Sequence, residues 1–271
     1  HQVFIEPEGL DTLEMYVQGV SSTLPLEVQK EMYKSILGLE NVKIMRPAYG
    51  IEYDCIDPTI LRATLEHKDI KNLFFAGQIN GSSGYEEAGS QGIIAGINAS
   101  MNILGKEPFV LTRSDAYIGV LIDDLITKGT DEPYRMMTSR SEYRLLLRQD
   151  NADIRLSKIG YEVGLISEER YQRLLEKERQ IDEEIERLKN IHVGANAKVQ
   201  EFLVRNGSTP LQTSANLAEI IRRPELNYDL TKELDEDRKE LRKEVRDQVN
   251  INIKYEGYIK KSLQQVEKLK K

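Results

Sequence analysis

The sequence predicts an α/β first part followed by an all-α second part. Three observations carry this: short apolar runs punctuated by Gly and Pro up to about residue 110, a strand, glycine-loop and helix pattern from Leu73 to Ala99, and two long charged amphipathic stretches after Ser167. With 271 residues and 39% apolar side chains, the chain can build a real core. A net charge of -7 with 31% charged residues excludes a cationic nucleic-acid coat, so any nucleic-acid contact must come from local patches. No apolar run reaches the roughly 18 to 20 residues that cross a bilayer. The opening His1-Gln2-Val3-Phe4 has neither an initiator Met nor a signal-peptide pattern, so the sequence is expected to begin inside a larger, cytoplasmic protein. The single cysteine, Cys55, excludes an internal disulfide and a thiolate zinc site, and the scattered His1, His67 and His192 suggest no metal centre.

Pro25 opens a stretch in which Val28, Met32, Ile36 and Leu37 recur at helical spacing, and Gly38 closes it as a C-cap would. Val42 to Ile44 and Tyr49 to Tyr53 read as strands, and Asp57-Pro58 as the turn before Thr59 to Leu65. Ser167 can cap a helix with Glu168 and Glu169 in its first turn and Tyr171, Leu174, Leu175, Ile181, Ile185 and Leu188 as its apolar stripe, opposite a face of nearly all charge. A second helical stretch starts near Leu234 and carries Leu241, Val245, Val249, Tyr255, Ile259, Leu263, Val266 and Leu269. Its spacing is not a sustained heptad, which favours packing inside one helical domain over coiled-coil pairing.

The segment from Leu73 to Ala88 carries the cofactor signal. An apolar run leads into Gly77, Gly81 and Gly84, which permit close backbone approach, and the following helix sets Ala88, Gly92, Ala95, Gly96 and Ala99 on one face of small residues. The spacing is not that of a dinucleotide pyrophosphate loop, and Glu86 and Glu87 in the first turn would repel a phosphate. A flavin ring is the better guest, since its reduced form gains negative charge that a helix N-terminus and the Gln78 amide can both accommodate. The same glycines also suit a tight turn with close helix packing, and the residues alone leave both readings open.

The segment Phe75-Ala-Gly-Gln-Ile-Asn-Gly-Ser-Ser-Gly-Tyr-Glu-Glu-Ala88 resembles the flavin-contacting signature of the MnmG, or GidA, family of transfer-RNA uridine modification enzymes. Phe4-Ile-Glu-Pro-Glu-Gly-Leu-Asp11, Arg46-Pro-Ala-Tyr-Gly-Ile-Glu-Tyr-Asp54, Thr138-Ser-Arg-Ser-Glu-Tyr-Arg-Leu-Leu-Leu-Arg148 and Asp150-Asn-Ala-Asp-Ile-Arg155 follow the family pattern in order. The resemblance implies part of an FAD/NAD(P)-binding Rossmann-like domain, with FAD contacts at Gly77, Gln78, Asn80, Gly84, Tyr85 and Glu86. It implies that residues 1–47 end an inserted α/β domain, 48–110 form the returning part of the FAD domain, 111–160 connect, and 161–271 form a helical domain binding tRNA or a partner. The implied activity adds a carboxymethylaminomethyl or aminomethyl group to C5 of the wobble uridine of tRNA. NADH and methylenetetrahydrofolate would serve as cosubstrates, an MnmE-type GTPase as partner, and the enzyme would be a homodimer. The family's catalytic cysteines and phosphate loop are expected upstream, so no catalytic residue is assigned here and the chain alone is expected to be inactive. Its small GTPase-docking tail is expected to follow Lys271. Cys55, flanked by acids that raise rather than lower a thiol pKa and outside the family's cysteine motifs, is expected to fill a core position. Two rivals are a folate- and FAD-dependent tRNA methyltransferase of the TrmFO family and a non-catalytic helical adaptor. Gly84-Tyr-Glu-Glu-Ala88 and the helical extension argue against the former.

Arg135, Arg140, Arg144 and Arg148 form an arginine segment with Tyr134 and Tyr143. The last three repeat every fourth residue, which puts them on one face of a helix or of a strand alike. Guanidinium groups grip phosphates and stack on bases, so these four are candidate tRNA contacts, with Arg135 and Arg144 favoured under the family resemblance. They also suit pairing with Glu142, Asp150 and Asp153 to tie two domains together. Lys254, Lys260, Lys261, Lys268, Lys270 and Lys271 give the end a basic bias suited to an RNA rim, although charged helices of this kind serve equally as solvated faces.

Overall fold

The computed structural model describes residues 2–269; His1, Lys270 and Lys271 and the side chain of Leu269 lie outside the described residues. The chain divides into two compact units, residues 1–54 and 55–271. In the first, β1 (Phe4–Pro7) and β2 (Met15–Gln18) form an antiparallel hairpin with Phe4 opposite Gln18 and Pro7 opposite Met15. Helix α1 (Leu26–Lys34) follows Pro25, whose fixed φ suits a helix start. It ends at Ser35, short of Gly38, so Leu37 lies outside it and is 94% exposed. Its one buried side chain is Gln29, which bonds the Leu24 and Ala48 carbonyls at 2.7 and 2.9 Å and takes the Ala48 amide at 2.9 Å. A polar staple therefore holds the Arg46-Pro47-Ala48 stretch. The strands expected at 42–44 and 49–53 are irregular backbone, for no neighbouring segment supplies a ladder there.

The second unit begins with a Pro58–Ile60 turn capped by Asp57, whose side chain takes the Thr59 amide. The apolar run at 73–75 is extended, but it meets only the 65–67 stretch, through the Glu66–Phe74 bridge and the Phe75 amide on the Leu65 carbonyl at 3.1 Å. It leads into the glycine loop and α2 (Tyr85–Leu104), which ends at Gly105 in the left-handed conformation. Helix α3 (Tyr117–Lys128) packs beside α2, and Leu61, Leu65, Ile94, Ala95 and Ile122 form a core between them.

From α4 (Ala152–Glu162) onward the chain is helical. Ser167 does cap α5 (Glu168–Asn190), taking the Arg170 amide. After the short β3 (His192–Val193), Asn196 caps α6 (Ala197–Arg205). Past β4 (Ala215–Asn216), which pairs with β3, a capping box between Asn216 and Glu219 starts α7 (Leu217–Ile221). The long α8 (Lys243–Leu269) begins well after Leu234, which instead ends a tight turn from Leu230. The chain is held there by Asp235 and Arg238, paired at 2.8 Å. Leu188, Phe202, Leu203, Leu217, Ile220, Val245 and Val249 form one core, each burying on the order of 1.5–3 kcal/mol of transfer free energy. The amphipathic helices thus pack within one domain. The apolar stripe expected on α5 also carries Lys177 and Glu184, both buried among Leu174, Ile181 and Leu188. Lys177 reaches Asp153 at 2.7 Å, while Glu184 takes Arg187 and the Tyr228 hydroxyl, which keeps both paired inside. Among the described residues no helix is long and apolar enough to cross a membrane.

Candidate functional site

The glycine loop gathers an unusual density of buried polar atoms. Gly77 and Gly81 both hold positive φ, +91° and +76°, conformations that side chains rarely adopt. Between them Gln78 to Asn80 make a single tight turn. Asn80 and Gln91 are both fully buried. Gln91 Oε1 takes the Gly77 amide at 3.0 Å and Asn80 Nδ2 at 2.8 Å, and Asn80 Nδ2 also reaches the Phe75 carbonyl. Asn80 Oδ1, Gln91 Nε2 and Glu87 Oε2 are buried without a hydrogen-bond partner among the described residues. Orphaned buried polar atoms are rare in folded proteins, and three of them gather around this loop.

The arginine segment docks onto this loop. The Tyr134 amide donates to the Gly81 carbonyl at 2.8 Å, Ser82 Oγ donates to the Tyr134 carbonyl at 3.3 Å, and the Met136 amide donates to Glu87 Oε1 at 2.8 Å. Burial would raise the Glu87 carboxyl, but the Met136 amide, its own amide and the charge of Arg135 outweigh burial and hold it below the usual carboxylate range. A Cβ at Gly84 would meet Glu87 Oε2 and the Arg135 guanidinium, so only glycine leaves them room.

Next to Tyr134 lies an ionic cluster around the buried Asp124. Tyr134 donates its hydroxyl to Asp124 Oδ2 at 2.8 Å, and burial followed by that bond pushes its phenol well above the ordinary value. Arg113 reaches Asp124 at 2.8 Å, Asp123 at 3.0 Å, Glu142 at 2.7 Å and the Arg140 carbonyl at 3.1 Å. These contacts, the Glu142 bond foremost, raise its pKa further. Arg140 lies over the Tyr134 ring at 4.3 Å and donates to the Arg135 carbonyl at 2.8 Å.

A family profile described as "Glucose inhibited division protein A" matches residues 1–107, and one described as "tRNA modifying enzyme MnmG/GidA C-terminal helical domain" matches residues 168–263. The tRNA uridine 5-carboxymethylaminomethyl modification enzyme MnmG of Finegoldia magna is 68% identical over 271 residues, covering all of this chain and 43% of its own length. Its namesake from Caldicellulosiruptor saccharolyticus is 64% identical with the same coverage. This chain belongs to the MnmG/GidA family. Aquifex aeolicus GidA, in its form II crystal, superposes with a TM-score of 0.86 at 48% identity, again over the whole of this chain and 43% of that one. The chain therefore spans less than half the length of its MnmG relatives, and the α/β part followed by a helical domain is the GidA arrangement.

Against that family frame, the predicted residues separate. Gly77, Asn80 and Gly84 are buried in the loop, while Gln78, Tyr85 and Glu86 are exposed along its rim. The small-residue face of α2 splits: Ala95 is buried, whereas Gly92 and Gly96 are open, with nothing near the place a Cβ would take. Arg135 sits at the loop, and Arg140 stacks on Tyr134. Arg148 is tied to Asp150 at 3.0 Å and to the Leu145 carbonyl at 2.6 Å. Arg144 is exposed and without a hydrogen bond or ion pair among the described residues. The segment is neither helix nor strand but a chain of turns, so the four arginines share no single face. Of the acids expected to pair with them, Glu142 goes to Arg113 and Asp153 to Lys177. Cys55 is exposed, not a core filler, because the acids around it keep its stretch at the surface. Lys254 donates to the Arg223 carbonyl at 2.7 Å instead of joining a basic rim.

Gln91 and Ser82 join the loop without having been expected there, and Glu87, expected only as a charge that repels phosphate, joins it as an acceptor. Glu87, Gln91 and Asn98 recur with Ile94 and Met101 on the buried face of α2, and polar residues on an apolar stripe were the available signal.

Proposed function

We propose that this chain supplies the flavin-contacting loop and an RNA-facing helical part of an FAD-dependent enzyme that modifies C5 of the wobble uridine in tRNA. The observation that carries the reading is the set of three unpartnered buried polar atoms, on Asn80, Glu87 and Gln91, gathered at the glycine loop and the start of α2. The residues fit a flavin. The first-turn amides of α2 and the exposed Gln78 at the rim favour negative charge, while Gly77, Gly81 and Gly84 pack against Ala88, Thr130, Glu87 and Arg135 of the chain itself, and Gln91 Nε2 and Asn80 Oδ1 keep one donor and one acceptor unused beneath them. Bound FAD would supply hydride chemistry, fed by NADH, for a carbon drawn from methylenetetrahydrofolate.

This chain's own residues would bind and orient. Gln78, Tyr85 and Glu86 rim the loop; Arg135, Arg140 and Arg144 offer guanidinium groups to RNA phosphates, Arg140 from its place over the Tyr134 ring. The tRNA-modifying activity named for the relatives supports the tRNA substrate. The reading extends to the domain assignment: 1–47 the end of an inserted domain, 48–110 the returning FAD part, 111–160 the connection, and 161–271 the tRNA- and partner-binding helices. An MnmE-type GTPase partner, a homodimer and a cytoplasmic location belong to the same reading.

The test is the absorbance spectrum of the purified full-length protein together with tRNA titration. Retained flavin with tRNA binding, and an Arg144→Ala variant whose salt slope falls by about 1 with flavin intact, is the expected result. A full-length protein that binds tRNA but never retains flavin would establish the helical-adaptor alternative instead.

A further inference from the structure

The loop and the arginine segment are joined by more than proximity. Three main-chain positions of the segment, the Tyr134 amide, the Tyr134 carbonyl and the Met136 amide, are all taken by Gly81, Ser82 and Glu87. Glu87 is the pivotal member. Its side chain is buried, one carboxylate oxygen holds the Met136 amide, and the other, without a hydrogen-bond partner among the described residues, lies with the Arg135 guanidinium on the side of Gly84 that a Cβ would take. A shift of the loop therefore strains the Met136 bond and, through the adjoining backbone, moves Arg135. Arg140 follows, since its Nε is bonded to the Arg135 carbonyl.

We propose that Glu87 is a positioning residue that makes flavin binding at the glycine loop and tRNA binding on Arg135 and Arg140 energetically interdependent. The proposal rests on the flavin reading of the loop. A ligand that orders residues 77–87 orders residues 134–136 through Glu87, and by reciprocity RNA held on those arginines tightens the loop. Couplings of this kind span about 5- to 150-fold in affinity. With one short strap between the sites, about tenfold is expected.

The experiment uses full-length protein, flavin-loaded and flavin-stripped, titrated with an unmodified tRNA transcript bearing a wobble uridine. The loaded protein is expected to bind the transcript about tenfold more tightly. In Glu87→Ala that ratio is expected to fall below about twofold, with both ligands still binding. A wild-type measurement guards against a variant that fails to fold: adding FAD without RNA is expected to slow hydrogen exchange of the Met136 amide. Equal tRNA affinity in the loaded and stripped wild-type protein, or Met136 exchange unmoved by FAD, overturns the coupling while leaving the flavin site standing. A full-length protein that takes up no flavin removes the site itself, and the coupling with it.

Discussion

Replacing Gln91 by Leu probes the polar centre of the loop with almost no change in volume. In the native loop Gln91 Oε1 takes two donors, the Gly77 amide at 3.0 Å and Asn80 Nδ2 at 2.8 Å, in a place with no solvent access. Leucine leaves the Gly77 amide with nothing to bond, and Asn80 Nδ2 keeps only the Phe75 carbonyl. An unsatisfied buried donor costs about 1–3 kcal/mol, so one full loss and one half loss come to about 2–4 kcal/mol. The positive φ of Gly77 is held by that same amide bond, so the loss concentrates in the loop. The part of it that falls on the bound state alone lowers flavin affinity, by several hundredfold at most at about 1.4 kcal/mol per factor of ten, and the part shared with the free protein lowers its stability. Fluorescence titration of FAD into the stripped variant measures this, and urea unfolding of the same protein reads the stability loss as a lower midpoint at constant slope. A variant that binds FAD within twofold of wild type and unfolds at the same urea concentration would refute the assignment of Gln91 as the centre of a built ligand loop.

Arg113→Met removes the cation shared by Asp123, Asp124 and Glu142 and leaves the buried Asp124 with only Lys128 and Tyr134. A loss of about 3 kcal/mol is expected, measured as a fall in the urea midpoint, with segment 134–142 becoming sensitive to protease. The helical domain carries its own acid switch. Burial would raise the Asp235 carboxyl, but Arg187 and Arg238 together hold it below the ordinary value of about 3.9. A depressed carboxylate contributes stability that is present above its unfolded pKa and lost as pH falls through the folded one. Thermal midpoints are therefore expected to be flat from neutrality to about pH 4 and to drop below it, with a shallower drop in Asp235→Asn, which is less stable at neutral pH.

The sequence by itself determined the local devices whose causes are local. Ser167 caps α5, the glycine run reads as a loop before a helix, and the α5 and α8 stripes face one core because 3.6-residue periodicity fixes which side chains share a face. Family membership was legible for a similar reason, since motifs such as Gly77-to-Ala88 are contiguous.

Only the tertiary structure decided how distant polar groups meet. The run at 73–75 reads as a strand, but a strand needs neighbours, and here it meets only residues 65–67. Arg140, Arg144 and Arg148, at every fourth residue, look like one surface, yet the turns from Thr138 onward send Arg140 to Tyr134, Arg148 to Asp150 and Arg144 to solvent, while Arg135 stays at the glycine loop. Spacing cannot foresee this, because each guanidinium settles on whichever acceptor or ring the folded chain brings within about 4 Å. For the same reason Glu87, an unremarkable first-turn acid in the sequence, became the link between the loop and the arginines once Met136, 49 positions away, was folded against it.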